Sequence, residues 1–160
     1  MAYIDYEYYK SLYGEKSILE TDFNRLIWDA EREINKATSG VDGVKKLKVA
    51  FPVDEYEAEV VKRCVAELVS FLYKLEKAQN CIISDDGTVN SNVVVSKSAG
   101  NESISYANSE NIVSTALRSV KDKEKVIYQF ISDKLSGASD ANGVNLLFAG
   151  RYPYYVGNDR

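Results

Sequence analysis

The sequence predicts a mainly α-helical fold. It reads as a bundle of four to five helices with a long β-hairpin-like insertion at about 82–108 and an extended C-terminal tail, all in a single domain over 1–160. Three features predict it. Apolar residues recur at spacings of three and four in three long segments. A long stretch rich in Ser, Asn, Gly and Asp separates the second of these from the third. The residues after Gly137 carry too many turn formers to continue as a long helix.

The elements follow in order. DYEYYKSLY (5–13) forms a short helix stopped by Gly14. In ILETDFNRLIWDAEREINKATSG, Thr21 or Asp22 can cap a helix. Phe23, Leu26, Ile27, Ala30, Ile34 and Ala37 form its apolar stripe, and Gly40 ends it. Trp28, the only tryptophan, falls on the polar face. Either another element covers it or it marks a contact with a partner. VDGVKKLKVAFP is a connector whose Lys45, Lys46 and Lys48 read as a small solvated basic patch.

The longest helix starts after Pro52, with Asp54 as N-cap and Glu57 completing a capping-box-like pair. Val61, Cys64, Val65, Leu68, Phe71, Leu72 and Leu75 make its apolar face, and it is expected to end near Gln79 or Asn80. Cys64 on that face reads as a small buried hydrophobe. Within 82–108, Val93–Val95 and Ile104–Tyr106 favour strands, with Gly100-Asn101 as the turn between them. An isolated two-stranded ribbon is marginal in water, so it must lean on a helix or a neighbouring subunit. A short helix over roughly 109–119 is expected next. KDKEKVIYQFISDKLSG then sets Val126, Ile127, Phe130, Ile131 and Leu135 at helical spacing and closes at Gly137. Asn142-Gly143 makes a turn before the apolar run Val144 to Phe148. No internal repeat or low-complexity tract stands out.

Composition narrows the function. The net charge of −4 disfavours a general nucleic-acid binder. There is no histidine, which removes the usual general base and metal ligand and any Ser-His or Cys-His nucleophile. Cys64 and Cys81 have no zinc spacing, and the chain is expected to be soluble, made in the cytoplasm and reduced. The acidic, Tyr-rich N-terminus does not resemble a signal peptide, and no run is long and apolar enough to span a bilayer. Twelve residues are tyrosines, clustered near the two ends. They either serve an assembly surface or tie the ends onto the domain. NES at 101–103 is a chance glycosylation triplet. SDDGTVN (84–90) and DANGVN (140–145) lack the full calcium-loop ligand pattern and read as turns. Carboxylate pairs such as Asp29 with Glu33 lie on helix faces without a cleft, so no catalytic, cofactor or metal site is expected.

The order of elements resembles one family. Its marks here are Phe23, Leu26 and Ala37 to Gly40; then Val94, Ser96, Gly100, Ser103, Ser105 and Tyr106; then Leu135, Gly137, Leu146, Leu147, Phe148 and Gly150. The chain resembles the head-tail connector proteins, also called adaptor or head-completion proteins, of long-tailed bacteriophages and prophages. It departs from them by inserting ASDANGVN after the last helix and reading FAGR in the tail.

The resemblance implies a structural virion protein and not an enzyme. It implies a homo-oligomeric ring, commonly twelve-fold in the virion, docked between the portal protein and downstream connector or tail proteins. Such a ring extends the channel, DNA being only passing cargo, and no membrane or cofactor is involved. The localisation implied is the virion, with the host cytoplasm before assembly. Candidate interface residues are Trp28, Val94, Ser96, Gly100, Ser103, Ile104, Ser105, Tyr106, Leu147, Phe148, Tyr152 and Tyr154. The alternative is a small helical protein-protein interaction module of phage or host that forms no ring.

Overall fold

The computed structural model describes residues 2–82, 97–99, 102–104, 116 and 119–153. Among these the chain is mainly helical: α1 (Tyr6–Tyr13), a single 3-10 turn (Gly14–Lys16), α2 (Glu20–Ala37), α3 (Lys46–Val49), α4 (Glu55–Ile82) and α5 (Val120–Lys134). No helix among the described residues is long and apolar enough to cross a membrane. The chain divides into two compact units, Met1–Leu72 with Ile127–Arg160, and Tyr73–Val126.

In the first unit the helical stripes supply the core. Phe23, Leu26, Ala30 and Ile34 of α2 are buried, as are Val61, Cys64, Val65, Leu68 and Leu72 of α4 and Ile131 of α5. Each set repeats every three or four residues, so one face of each helix leaves water. The start of α2 differs from expectation. Leu19 is the N-cap residue and provides no side-chain bond, so the helix begins at Glu20 rather than after Thr21 or Asp22. Asp54 caps α4 as its sequence suggests, its carboxylate accepting the Glu57 N–H at 3.1 Å. Cys64 is 1% exposed, and burial pushes its thiol pKa up to about 12. It is a packing residue, not a thiolate nucleophile.

The N-terminal tyrosines tie the chain down. Asp5 caps α1 by accepting the Tyr8 N–H at 2.8 Å. Tyr9 is buried against Tyr13 and Phe23, with ring centroids 4.7 and 5.2 Å away, and shares a 2.8 Å hydrogen bond with Ser70. The Tyr3, Tyr6 and Tyr8 hydroxyls donate to the Asn35 side chain, the Ile18 carbonyl and the Glu59 carboxylate. Of the two uses expected for these residues, the structure shows the internal one.

These bonds carry a pH consequence. Burial, with the Glu59 carboxylate, pushes the Tyr8 pKa to about 12, and burial raises Tyr3 and Tyr13 as well. A phenol whose folded pKa is raised stabilises the fold fully below its ordinary value of 10.0 and loses that share as pH rises toward the folded value. Stability is therefore expected to fall between pH 10 and 12. Urea midpoints across that range check this, and Tyr8→Phe is expected to flatten the slope.

The second unit is described only in part. It holds the end of α4, the start of α5 and two short strands, β1 (Lys97–Ala99) and β2 (Glu102–Ile104). The strands pair antiparallel with Ser98 opposite Ser103. The long hairpin expected over 82–108 is not supported beyond these three-residue strands. Val93–Val95, Tyr106 and most of the helix expected over 109–119 lie outside the described residues. Ser119 caps α5, its hydroxyl accepting the Asp122 N–H at 3.1 Å and donating to the Asp122 carboxylate at 2.7 Å. Leu75, Ala116 and Val126 are buried there.

Candidate functional site

Two loops in the first unit hold the C-terminal segment. Each leaves a helix and carries the same short pattern, SGVDGV at 39–44 and SDANGV at 139–144. Each closes through an isolated antiparallel bridge, Ser39 with Lys45 and Ser139 with Asn145. Gly43 and Gly143 sit at φ of 73° and 75°, the left-handed region where a side chain is strained. Gly43 N–H donates to the Gly40 carbonyl and Gly143 N–H to the Asp140 backbone carbonyl, each at 3.0 Å. The sequence thus contains a short repeat after all. Aligning those two hexapeptides is the signal that would have found it.

Both loops grip Tyr152. Asp42 accepts the Val44 N–H at 3.2 Å and the Tyr152 N–H at 2.7 Å. Asp140 accepts the Asn142 and Val144 N–H groups at 2.8 and 2.9 Å, and its other oxygen accepts the Tyr152 hydroxyl at 2.6 Å. The Asn142 amide donates to that hydroxyl at 2.8 Å. The Tyr152 ring packs with Val44, Ala50 and Val144. The Tyr152 and Val44 N–H groups hold the Asp42 carboxyl below its ordinary value, with Arg151 adding to the effect.

Lys46 completes the clamp. It was expected in a solvated patch, yet it is 0% exposed. The first residue of α3 points inward, and its ammonium donates to the carbonyls of Leu146 at 3.0 Å, Asn145 at 3.4 Å and Phe148. Lysine spacing alone cannot reveal this, because the acceptors are backbone groups about a hundred residues away. Burial lowers the Lys46 pKa, and the Asp140 and Asp42 carboxylates oppose the shift.

The segments Ala37 to Gly40 and Leu146 to Gly150 therefore meet. Val41 N–H donates to the Ala149 carbonyl at 3.0 Å. A Cβ on Gly40 would overlap the Gly150 carbonyl oxygen, which is backbone and cannot swing aside. Gly40→Ala is expected to cost about 1–3 kcal/mol. Gly150→Ala would press instead on the half-exposed Phe148 ring, which can rotate, and should cost less. Thermal melts of the two variants check the order.

Tyr152 is thus corrected from a partner anchor to an internal one, because its ring and both polar groups are already satisfied within the chain. Phe148 stays 48% exposed beside Lys46, and Leu147 is half-buried. Ser103 and Ile104 lie on β2, and Val94, Ser96, Gly100, Ser105, Tyr106 and Tyr154 are outside the described residues.

Trp28 is the candidate with a surface around it. No described element covers it, and it is 64% exposed. The Arg32 guanidinium lies 5.0 Å from its ring centroid. A groove of about 740 Å³ runs beside it, with Ile27 and Ala2 adding to the apolar wall. Arg32, Lys36, Lys45 and Lys48 line it with Asn35 and Ser39, against a single carboxylate, Glu31, which accepts the Tyr3 N–H at 2.6 Å. Arg32 and Lys36 share the α2 carboxylates Asp29 and Glu33, while Lys45 and Lys48 are exposed without an ion pair among the described residues. Such a groove can bind an acidic segment that also offers an aromatic or aliphatic side chain. Comparison with protein-family models, with curated proteins and with solved structures finds no match.

Proposed function

We propose that this chain is a head-tail connector subunit of a long-tailed bacteriophage or prophage. Copies of it form a ring, twelve-fold in the virion, between the portal and the tail-side proteins. The ring lengthens the DNA channel and has no catalytic step. In this reading the segment that carries β1 and β2 reaches a neighbouring subunit or the portal, and Tyr106 is its anchor.

The observation that carries the reading is how the aromatic residues are divided. The described N-terminal tyrosines and Tyr152 are used inside the chain, while the lone Trp28 stands exposed beside a cationic groove. A subunit that must join others needs a rigid body with such an anchor left outside. The order of family-like segments along nearly the whole chain supports the same reading.

Deleting 97–105 tests it. The helical signal and melting of the rest should persist, while ring formation or portal docking weakens. Normal assembly by the deletion variant would count against the hairpin's role.

A further inference from the structure

One end of α4 has the chemistry that the Trp28 groove lacks. Val53 and Tyr56 are 85% and 74% exposed, among the most open large apolar side chains described. Asp54, Glu55, Glu57 and Glu59 flank them in sequence, with no Lys or Arg between Val49 and Val61. Several of these carboxylates have internal work. Asp54 caps α4, Glu57 accepts the Ser139 N–H at 3.4 Å, and Glu59 accepts from Tyr8 and Arg63. Glu55 and Tyr56 make no such contact among the described residues and are exposed. One surface of the chain is thus an exposed aromatic among cations, and another is an exposed aromatic among carboxylates.

We propose that the groove beside Trp28 receives the acidic start of α4, Val53 to Tyr56, from a second copy of this chain. Tyr56 packs on the indole, and Glu55 faces Lys45 and Lys48. Because the two surfaces differ, the contact is heterologous, and it either closes into a ring or continues as a filament. The inference rests on the ring reading and names the surfaces that would make the ring. Attraction between such charges is screened by salt, so association should weaken as ionic strength rises.

The test uses full-length chains and the single tryptophan as reporter. Wild type at low salt should self-associate in sedimentation, with Trp28 emission shifting to the blue as concentration rises. Lys45→Glu with Lys48→Glu, and separately Glu55→Lys, should each weaken association about tenfold or more. Mixing these two variants should restore association, since the native α4 start of the first meets the native groove of the second and the two reversed surfaces again carry opposite charges. That mixture also shows that both variants are folded.

Variants that associate as wild type does, a mixture that stays monomeric, or a wild type that never associates at low salt would each overturn the contact. An emission shift seen only after adding portal protein would assign the groove to a different occupant and overturn it too. Rings that persist in both charge variants would defeat this contact and leave the ring reading standing. A wild type that forms no ring even with portal would defeat the ring reading itself.

Discussion

Replacing Lys46 by Met is expected to cost about 2–4 kcal/mol of folding stability, a large effect for one side chain. The Lys46 ammonium donates to three backbone carbonyls, those of Asn145, Leu146 and Phe148. Hydrogen bonds from a charged donor are stronger than neutral ones, and a buried acceptor left without its donor bears the full desolvation penalty. Met preserves the aliphatic stem, so the loss isolates the ammonium rather than the packing. The bonds to Asn145 and Phe148 are only part-buried, which keeps the cost from being larger.

The variant also changes a pH dependence. With its folded pKa below the ordinary 10.5, Lys46 binds its proton less tightly in the folded chain than in the unfolded one. Keeping it charged in the buried site therefore offsets part of its stabilisation at neutral pH, and that offset fades as pH rises from the lowered value to 10.5. Lys46→Met should lose this component. Urea midpoints of the two proteins from neutral to alkaline pH read both effects.

Tyr152→Ala is expected to cost about 3–5 kcal/mol, since it empties a buried aromatic site between the two loops. Tyr152→Phe separates the hydroxyl from the ring. It leaves the Asp140 carboxylate and the Asn142 amide without their shared partner and should cost about 1–2 kcal/mol. Tyr152 N–H is retained in both variants, so the bond to Asp42 survives as long as the segment stays docked. Asp42 itself is held below the ordinary 3.8, so its contribution is present above that value and is lost as pH falls through the lowered one. Chemical denaturation gives the stabilities. Limited proteolysis after residue 148 shows whether the segment has come loose.

The helices were legible because their signal is local. Stripes such as Phe23, Leu26, Ala30 and Ile34, or Val61, Cys64, Val65 and Leu68, can be read from spacing alone, and those residues are buried. Asp54 as a cap was legible for the same reason, whereas the start of α2 was not, because Leu19 offers no side-chain bond. Trp28 was placed on the polar face by spacing, and it is exposed there.

The clamp depends on distant partners and could not be read this way. Lys46 looks like its neighbours Lys45 and Lys48 in sequence, and only the carbonyls of 145–148 distinguish it. Tyr152 resembles a tail residue free for a partner until Asp42 and Asp140 are brought beside it. The matched loops were visible in principle, because SGVDGV and SDANGV share serine, glycine and valine in register. Turn chemistry is common enough that the match passes for two unrelated turns until both are seen around one side chain.

The proposal of a ring-forming subunit at a capsid vertex is open to direct observation. Negative-stain imaging with native mass spectrometry tests it, on the full chain alone and mixed with portal protein. Closed rings of a single subunit number, alone or seated on the portal, are the expected result. A chain that stays monomeric in both samples, with its helices intact, would contradict the account.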